Sequence, residues 1–147
     1  EHRVLDGWWI DTGKKDPLLR CNELVLDTIL PLVGGTVDGR STLDGPVRVD
    51  EGAEVVDSTL VGPLVVGPGA RISASTVGPY VSVGADCRID RSTVEKSVLM
   101  EGSRVVDVGL MTSSVLGLQA AVDGGASPGN QPVSVLLGDQ SVVNVGR

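Results

Sequence analysis

The feature that most restricts this chain's fold is a repeat of seventeen residues. Ser-Thr followed by a branched apolar residue occurs at Ser41-Thr42-Leu43, Ser58-Thr59-Leu60, Ser75-Thr76-Val77 and Ser92-Thr93-Val94. Val49, Val66, Val83 and Met100 form a second column at the same spacing, and Val55, Ile72 and Ile89 a third. Within one period the apolar columns are separated by six, six and five residues, as in Leu43, Val49, Val55 and Leu60. A small residue, Ala53, Ala70 or Cys87, precedes the third column by two positions, as a tight interior corner requires. Gly-Pro at 45–46, 62–63 and 78–79 marks another turn. Near Val98 the register slips by one residue and then resumes, with Leu99 leading to Leu116 and Val105 to Val122. The count predicts about five coils.

Three short strands per coil, each sending one apolar residue inward, describe a triangular parallel β-solenoid. Its coils would stack about 4.8 Å apart, the spacing of hydrogen-bonded strands. Leucine-rich repeats are longer and propeller blades run to more than twice this period. A β-sandwich of short strands does not demand a fixed spacing. Composition agrees with a mainly β chain: 20 Gly and 8 Pro punctuate Val-rich runs, and aromatic residues are nearly absent, with two Trp, one Tyr and no Phe.

The formal charge of −7 has no basic cluster to offset it, so the chain lacks the phosphate-neutralising surface of a nucleic-acid binder. No apolar run approaches the ~20 residues of a membrane span, and the opening EHRVLDGWW lacks the pattern of a signal peptide. A soluble, cytoplasmic protein without nucleic-acid or membrane partners is the expectation. Cys21 and Cys87 share no metal or redox spacing and read as small buried hydrophobes.

Ahead of the repeats one helix is expected, capped by Asp16, with Pro17 in its first turn and Pro31 at its end. Leu18, Leu19, Leu24, Val25, Leu26, Ile29 and Leu30 would supply its apolar face. Arg3 to Ile10 reads as a strand, with Asp11-Thr12-Gly13 as its exit turn. Such a unit cannot bury its own face and needs the solenoid's first coil or a larger domain. After Val122 comes the turn-rich DGGASPGNQP, then two short apolar runs about a Gly-Asp turn. These runs are expected to form a capping strand or hairpin, because a stacked solenoid exposes its last coil. The division predicted is therefore 1–31 strand-turn-helix, 32–122 solenoid and 123–147 turn-rich segment and cap.

The repeats resemble the hexapeptide-repeat proteins, whose fold is a left-handed parallel β-helix. The hand comes from that resemblance alone, since the general rule for parallel crossovers gives the opposite one. GWWIDTGKKDPLLRCNELVLD, followed by the repeats and a closing LLGDQS, resembles the C-terminal part of the long-type glucose-1-phosphate thymidylyltransferases of bacteria and archaea. The resemblance covers nearly the whole chain and follows the family only loosely over 106–130. The Gly-Trp-Trp-x-Asp-Thr-Gly phrase selects this family among the many transferases that share the repeats.

In that family a preceding α/β domain binds nucleotide and sugar phosphate. It converts dTTP and glucose-1-phosphate into dTDP-glucose and pyrophosphate. By matching, Asp11 is implied to help hold catalytic Mg²⁺, consistent with a metal held by one or two carboxylates plus substrate phosphates. Without the resemblance, Asp11 reads as a turn-forming Asp that bonds its own backbone. Trp8 and Trp9 would alternate across the strand, and Lys14 and Lys15 read as a solvated pair. The Gly-rich loop, the activating basic residues and the partner carboxylate all belong to the preceding domain. The chain is thus expected to be a piece of a longer enzyme and inactive alone.

Two other readings compete. Many left-handed β-helices are acyltransferases, but acyl transfer of that kind normally uses a His as base, and the one His here is His2, ahead of the repeats. A purely structural oligomerisation module is the other. Flat solenoid faces associate readily, so a homo-oligomer is expected, with a trimer as one form. The nucleotide and sugar rest on the family resemblance alone, and uridylyl, guanylyl and mannose-type relatives stay open.

Overall fold

The computed structural model describes residues 4–5, 12–125 and 132–145. Among these the chain winds as a β-solenoid of about six turns, with three parallel sheets as its walls and a single helix near the N-terminus. The first wall contains Val47–Val49, Leu64–Val66, Val81–Val83 and Ser97–Leu99. The second contains Glu54–Val56, Arg71–Ser73, Arg88–Asp90 and Arg104–Val106, and the third Thr42–Asp44, Thr59–Val61, Thr76–Val77 and Thr93–Glu95. Each strand pairs in parallel with its counterparts in the neighbouring coils, so a sequence repeat becomes a column of stacked side chains.

Those columns are the core. Val55, Ile72, Ile89 and Val105 are fully buried from the second wall, Leu60, Val77, Val94 and Met111 from the third, and Val49 and Val66 from the first. Val, Ile and Leu carry the burial in these columns, and no Phe is available to do so. Ala53, Ala70, Cys87, Ser103 and Ala120 stack at the small corner, all buried. At another corner Gly78 has φ 104°, and a Cβ there would lie 1.8 Å from the Val61 carbonyl oxygen, so only glycine fits.

The slip in register differs in one respect from the columns read in the sequence. Leu99, not Met100, occupies the inward position opposite Val83, and Met100 is 38% exposed. The cause is a shorter corner. Gly78-Pro79-Tyr80 separates Val77 from Val81, whereas Glu95-Lys96 alone separates Val94 from Ser97.

The tail also differs. Its two runs do not pair with each other as a hairpin: Leu136–Leu137 joins the first wall beside Val115–Leu116, and Val142–Asn144 joins the second beside Ala121–Asp123. The solenoid therefore continues past 122 for another coil, giving about six turns rather than five. Val115 pairs with Leu136 instead of a residue seventeen further on, because the turn-rich segment lengthens this coil. Val4–Leu5 then adds in parallel to Val142–Val143, so this short strand covers part of the edge of the last coil.

The helix spans Thr12–Leu26, longer at its start and shorter at its end than expected. Asp16 and Pro17 lie inside it rather than at its cap, and Lys15 one residue earlier is tied to the solenoid, so tertiary anchoring outweighs the capping signal. At the other end the chain tightens: the amide and hydroxyl of Thr28, three residues before Pro31, both donate to the Val25 carbonyl. The helix lies on the first wall against Val81–Val83, Ser97–Leu99 and Val115–Leu116. Lys15, Leu19, Asn22 and Leu26 face that wall at helical spacing, while Leu18, Leu24 and Val25 stay exposed.

Candidate functional site

Val4–Leu5 and Lys15 both meet the later coils of the solenoid. Val4–Leu5 pairs with the last coil, and Lys15 donates to the Ser113 carbonyl and the Ser134 hydroxyl. Lys15 is 1% exposed, which corrects its reading as half of a solvated pair. Burial pushes its pKa down and neighbouring Asp16 pushes it back up. Further along the helix Asn22 donates to the Tyr80 carbonyl and accepts from the Ser82 hydroxyl, and the Tyr80 hydroxyl donates to Asp27 at 2.8 Å. Polar contacts at three levels therefore fix the helix along the first wall.

Asp11, Trp8, Trp9 and His2 lie outside the described residues, as does most of the strand expected from Arg3 to Ile10. Among the described residues no three His, Cys, Asp or Glu side chains converge as a metal site. Those residues alone do not form a home for the Mg²⁺ that the resemblance implies. The two cysteines behave differently: Cys87 is buried, donating to the Met100 carbonyl at 3.1 Å, whereas Cys21 is exposed on the helix, contrary to its expected burial. Burial raises the Cys87 pKa, with the Ser103 hydroxyl acting in the opposite direction.

Three shallow concavities lie on the described surface. A polar hollow of about 540 Å³ is lined by Gly102, Arg104, Gln119 and Gln140, near the last coils. A neighbouring hollow of about 270 Å³ shares Gln119 and Gln140 and adds Glu101, Leu118 and Asp139. A third, of about 250 Å³, is an apolar groove between helix and first wall, lined by Leu18, Cys21, Val25, Val98, Met100 and Val115 together with Asn22. Arg104 is the last of a register-aligned column, Arg71–Arg88–Arg104, visible in the sequence as arginines seventeen and sixteen apart. Nearby, Arg91 clasps Asp107 through Nε at 2.5 Å and Nη2 at 3.1 Å and reaches Asp90 at 2.9 Å. That fork holds the Asp107 carboxyl below its ordinary range.

Comparison with known proteins places a third of the chain. It is 51% identical over 55 residues to a glucose-1-phosphate thymidylyltransferase of Streptomyces griseus, covering 37% of this chain and 16% of that protein. A glucose-1-phosphate thymidylyltransferase of Streptomyces antibioticus is 42% identical over 55 residues, covering 37% of this chain and 15% of its own length. Over that segment the chain is similar to sugar nucleotidyltransferases. The low-salt glycan biosynthesis nucleotidyltransferase Agl11 of Haloferax volcanii gives 40% identity over 53 residues, with 36% of this chain and 15% of that protein covered. The match thus spans about a sixth of the curated relatives' length. No family model matches the chain. Among the described residues, no helix is long and apolar enough to cross a membrane.

Proposed function

We propose that this chain is part of a sugar-1-phosphate nucleotidyltransferase that makes dTDP-glucose and pyrophosphate from dTTP and glucose-1-phosphate. The observation that carries the reading is the segment 51% identical to a glucose-1-phosphate thymidylyltransferase. The Gly-Trp-Trp-x-Asp-Thr-Gly phrase supports it. The nucleotide, the sugar phosphate and the chemistry of transfer belong to a domain outside these residues, and Asp11 contributes one carboxylate to its Mg²⁺. The solenoid, with its rigid stacked coils, serves stability and assembly into a homo-oligomer in the cytoplasm.

Pyrophosphate release by the complete enzyme tests the proposal. Supplied in turn with dTTP, UTP and GTP and with glucose-1-phosphate or mannose-1-phosphate, it is expected to turn over dTTP with glucose-1-phosphate fastest. The present chain is expected to release none. Turnover confined to another pair would replace the substrates and keep the reaction class. Release of free CoA from acetyl-CoA by this chain would favour the acyltransferase reading instead.

A further inference from the structure

The column Arg71–Arg88–Arg104 places like charges directly opposite one another on adjacent parallel strands, an arrangement that weakens a sheet unless something offsets it. The protein's own carboxylates offset it unevenly. Arg71 stands 3.8 Å from Glu54. Arg88 stands 3.7 Å from Asp90, whose carboxylate is already taken by Arg91 at 2.9 Å and by the Ser73 hydroxyl. Among the described residues Arg104 has no carboxylate within ion-pair distance, and its strand neighbour on the other side is Ala121. The guanidinium most lacking a partner is the one that lines the 540 Å³ hollow.

The rest of the hollow is hydrogen-bonding surface. Gln119 and Gln140 stack from successive coils, with Gln140 Nε2 3.4 Å from Gln119 Oε1. Beyond them Glu101 and Asp139 line the adjoining hollow, and Asp139 also accepts the Leu118 amide at 2.8 Å. The sequence of groups is a cation, then two carboxamides, then two carboxylates. A bare anion would use the first and be repelled by the last. A neutral polyol would use the last two and leave the guanidinium unpaired. Carboxamides donate to and accept from vicinal hydroxyls, carboxylates accept from them, and a guanidinium fork matches a phosphate.

We propose that Arg104, Gln119, Gln140, Glu101 and Asp139 form a binding site for a phosphorylated sugar on the solenoid. Its phosphate meets Arg104, with Arg88 one strand away in register, and its hydroxyls lie along the glutamines and carboxylates. The site is open and carries no nucleophile, so it binds without reacting. It does not depend on the proposed transferase activity, because it is built wholly from residues of the solenoid.

Titration calorimetry of this chain in chloride buffer at low ionic strength tests it, with glucose-1-phosphate, inorganic phosphate and glucose as separate probes. The expected order of affinity is glucose-1-phosphate, then phosphate, then glucose. R104Q is expected to weaken glucose-1-phosphate at least about tenfold, the loss of a charge-assisted contact. R71Q, whose guanidinium stands by Glu54, is expected to leave it unchanged. Absence of saturable glucose-1-phosphate binding overturns the site. So does an equal loss in R71Q and R104Q, which would mean general attraction to the column, or phosphate binding as tightly as the sugar phosphate. Loss of transferase activity in the complete enzyme would leave all three outcomes readable.

Discussion

The hydroxyl of Ser75 accepts the amide N–H of Ser92 at 3.1 Å and donates to the Ser73 carbonyl at 2.7 Å, so one side chain joins two coils at a buried corner. The same link recurs. Ser41 accepts from the Ser58 amide, Ser58 from Ser75, and Ser92 from Val108. On the neighbouring corner Ser97 accepts from Ser114, and Ser114 from Val135. The chain turns between walls at these points, where no ladder partner is available, and a buried N–H needs an acceptor. Serine is small enough to sit inside the corner and supplies one.

Ser75→Ala is therefore expected to destabilise the fold by about 1–3 kcal/mol, because it strands the Ser92 amide. Thr76→Ala, at the exposed neighbour, is expected to stay within about 0.5 kcal/mol of wild type. Denaturant melts of the two variants make the comparison.

Ala74 sits at φ 49°, in a corner column with Asp57, Arg91 and Asp107 that all take the left-handed conformation. An alanine there is disfavoured by about 1 kcal/mol or more, while glycine adds entropy to the unfolded chain. Ala74→Gly is expected to stabilise by a net of about 0.5 kcal/mol. Asp57→Gly should gain less, since Asp tolerates this region better. Thermal unfolding under matched conditions ranks them.

Cys21 is exposed and Cys87 buried among the coils, with its thiol hydrogen-bonded and its pKa raised chiefly by burial. A thiol reagent at neutral pH is expected to label Cys21 promptly and Cys87 only on unfolding. Mass spectrometry of the labelled peptides checks this, and rapid double labelling would contradict the stacked core.

The Arg91–Asp107 fork makes a pH prediction. A carboxylate whose pKa is depressed on folding adds stability above its unfolded value of 3.8, and that stability disappears as pH falls through the lower folded value. Asp107→Asn is thus expected to be less stable than wild type above that value and to converge with it on further acidification. Melting temperatures taken at a series of acidic pH values read the convergence.

The three apolar columns were legible because parallel stacking converts register into sequence period, and one misplaced corner shifts every later residue. The same logic explains what was hidden. The last coil went unseen because residues 123–132 break the seventeen-residue spacing that identified the others. Lys15 looked like a surface lysine because its partners, Ser113 and Ser134, are brought to it only by folding. The serine column was visible as a pattern, but its purpose depends on which amides face it. The arginine column was equally visible, yet only the hollow beside Arg104 suggests a use. The hand of winding rests on the resemblance, and Asp11 lies outside the described residues.

The proposed function has these residues serving a nucleotidyltransferase in which Asp11 helps hold Mg²⁺. The most direct measurement is Mg²⁺-dependent formation of dTDP-glucose by the complete enzyme and by its Asp11→Asn variant, with melting temperatures recorded for both. Wild type is expected to form product, and the variant to fall by about 100-fold without loss of folding, the upper end of what is lost with a group that supports a bound metal. Absence of nucleotide-sugar product from the folded wild type, or full activity in Asp11→Asn, would contradict it.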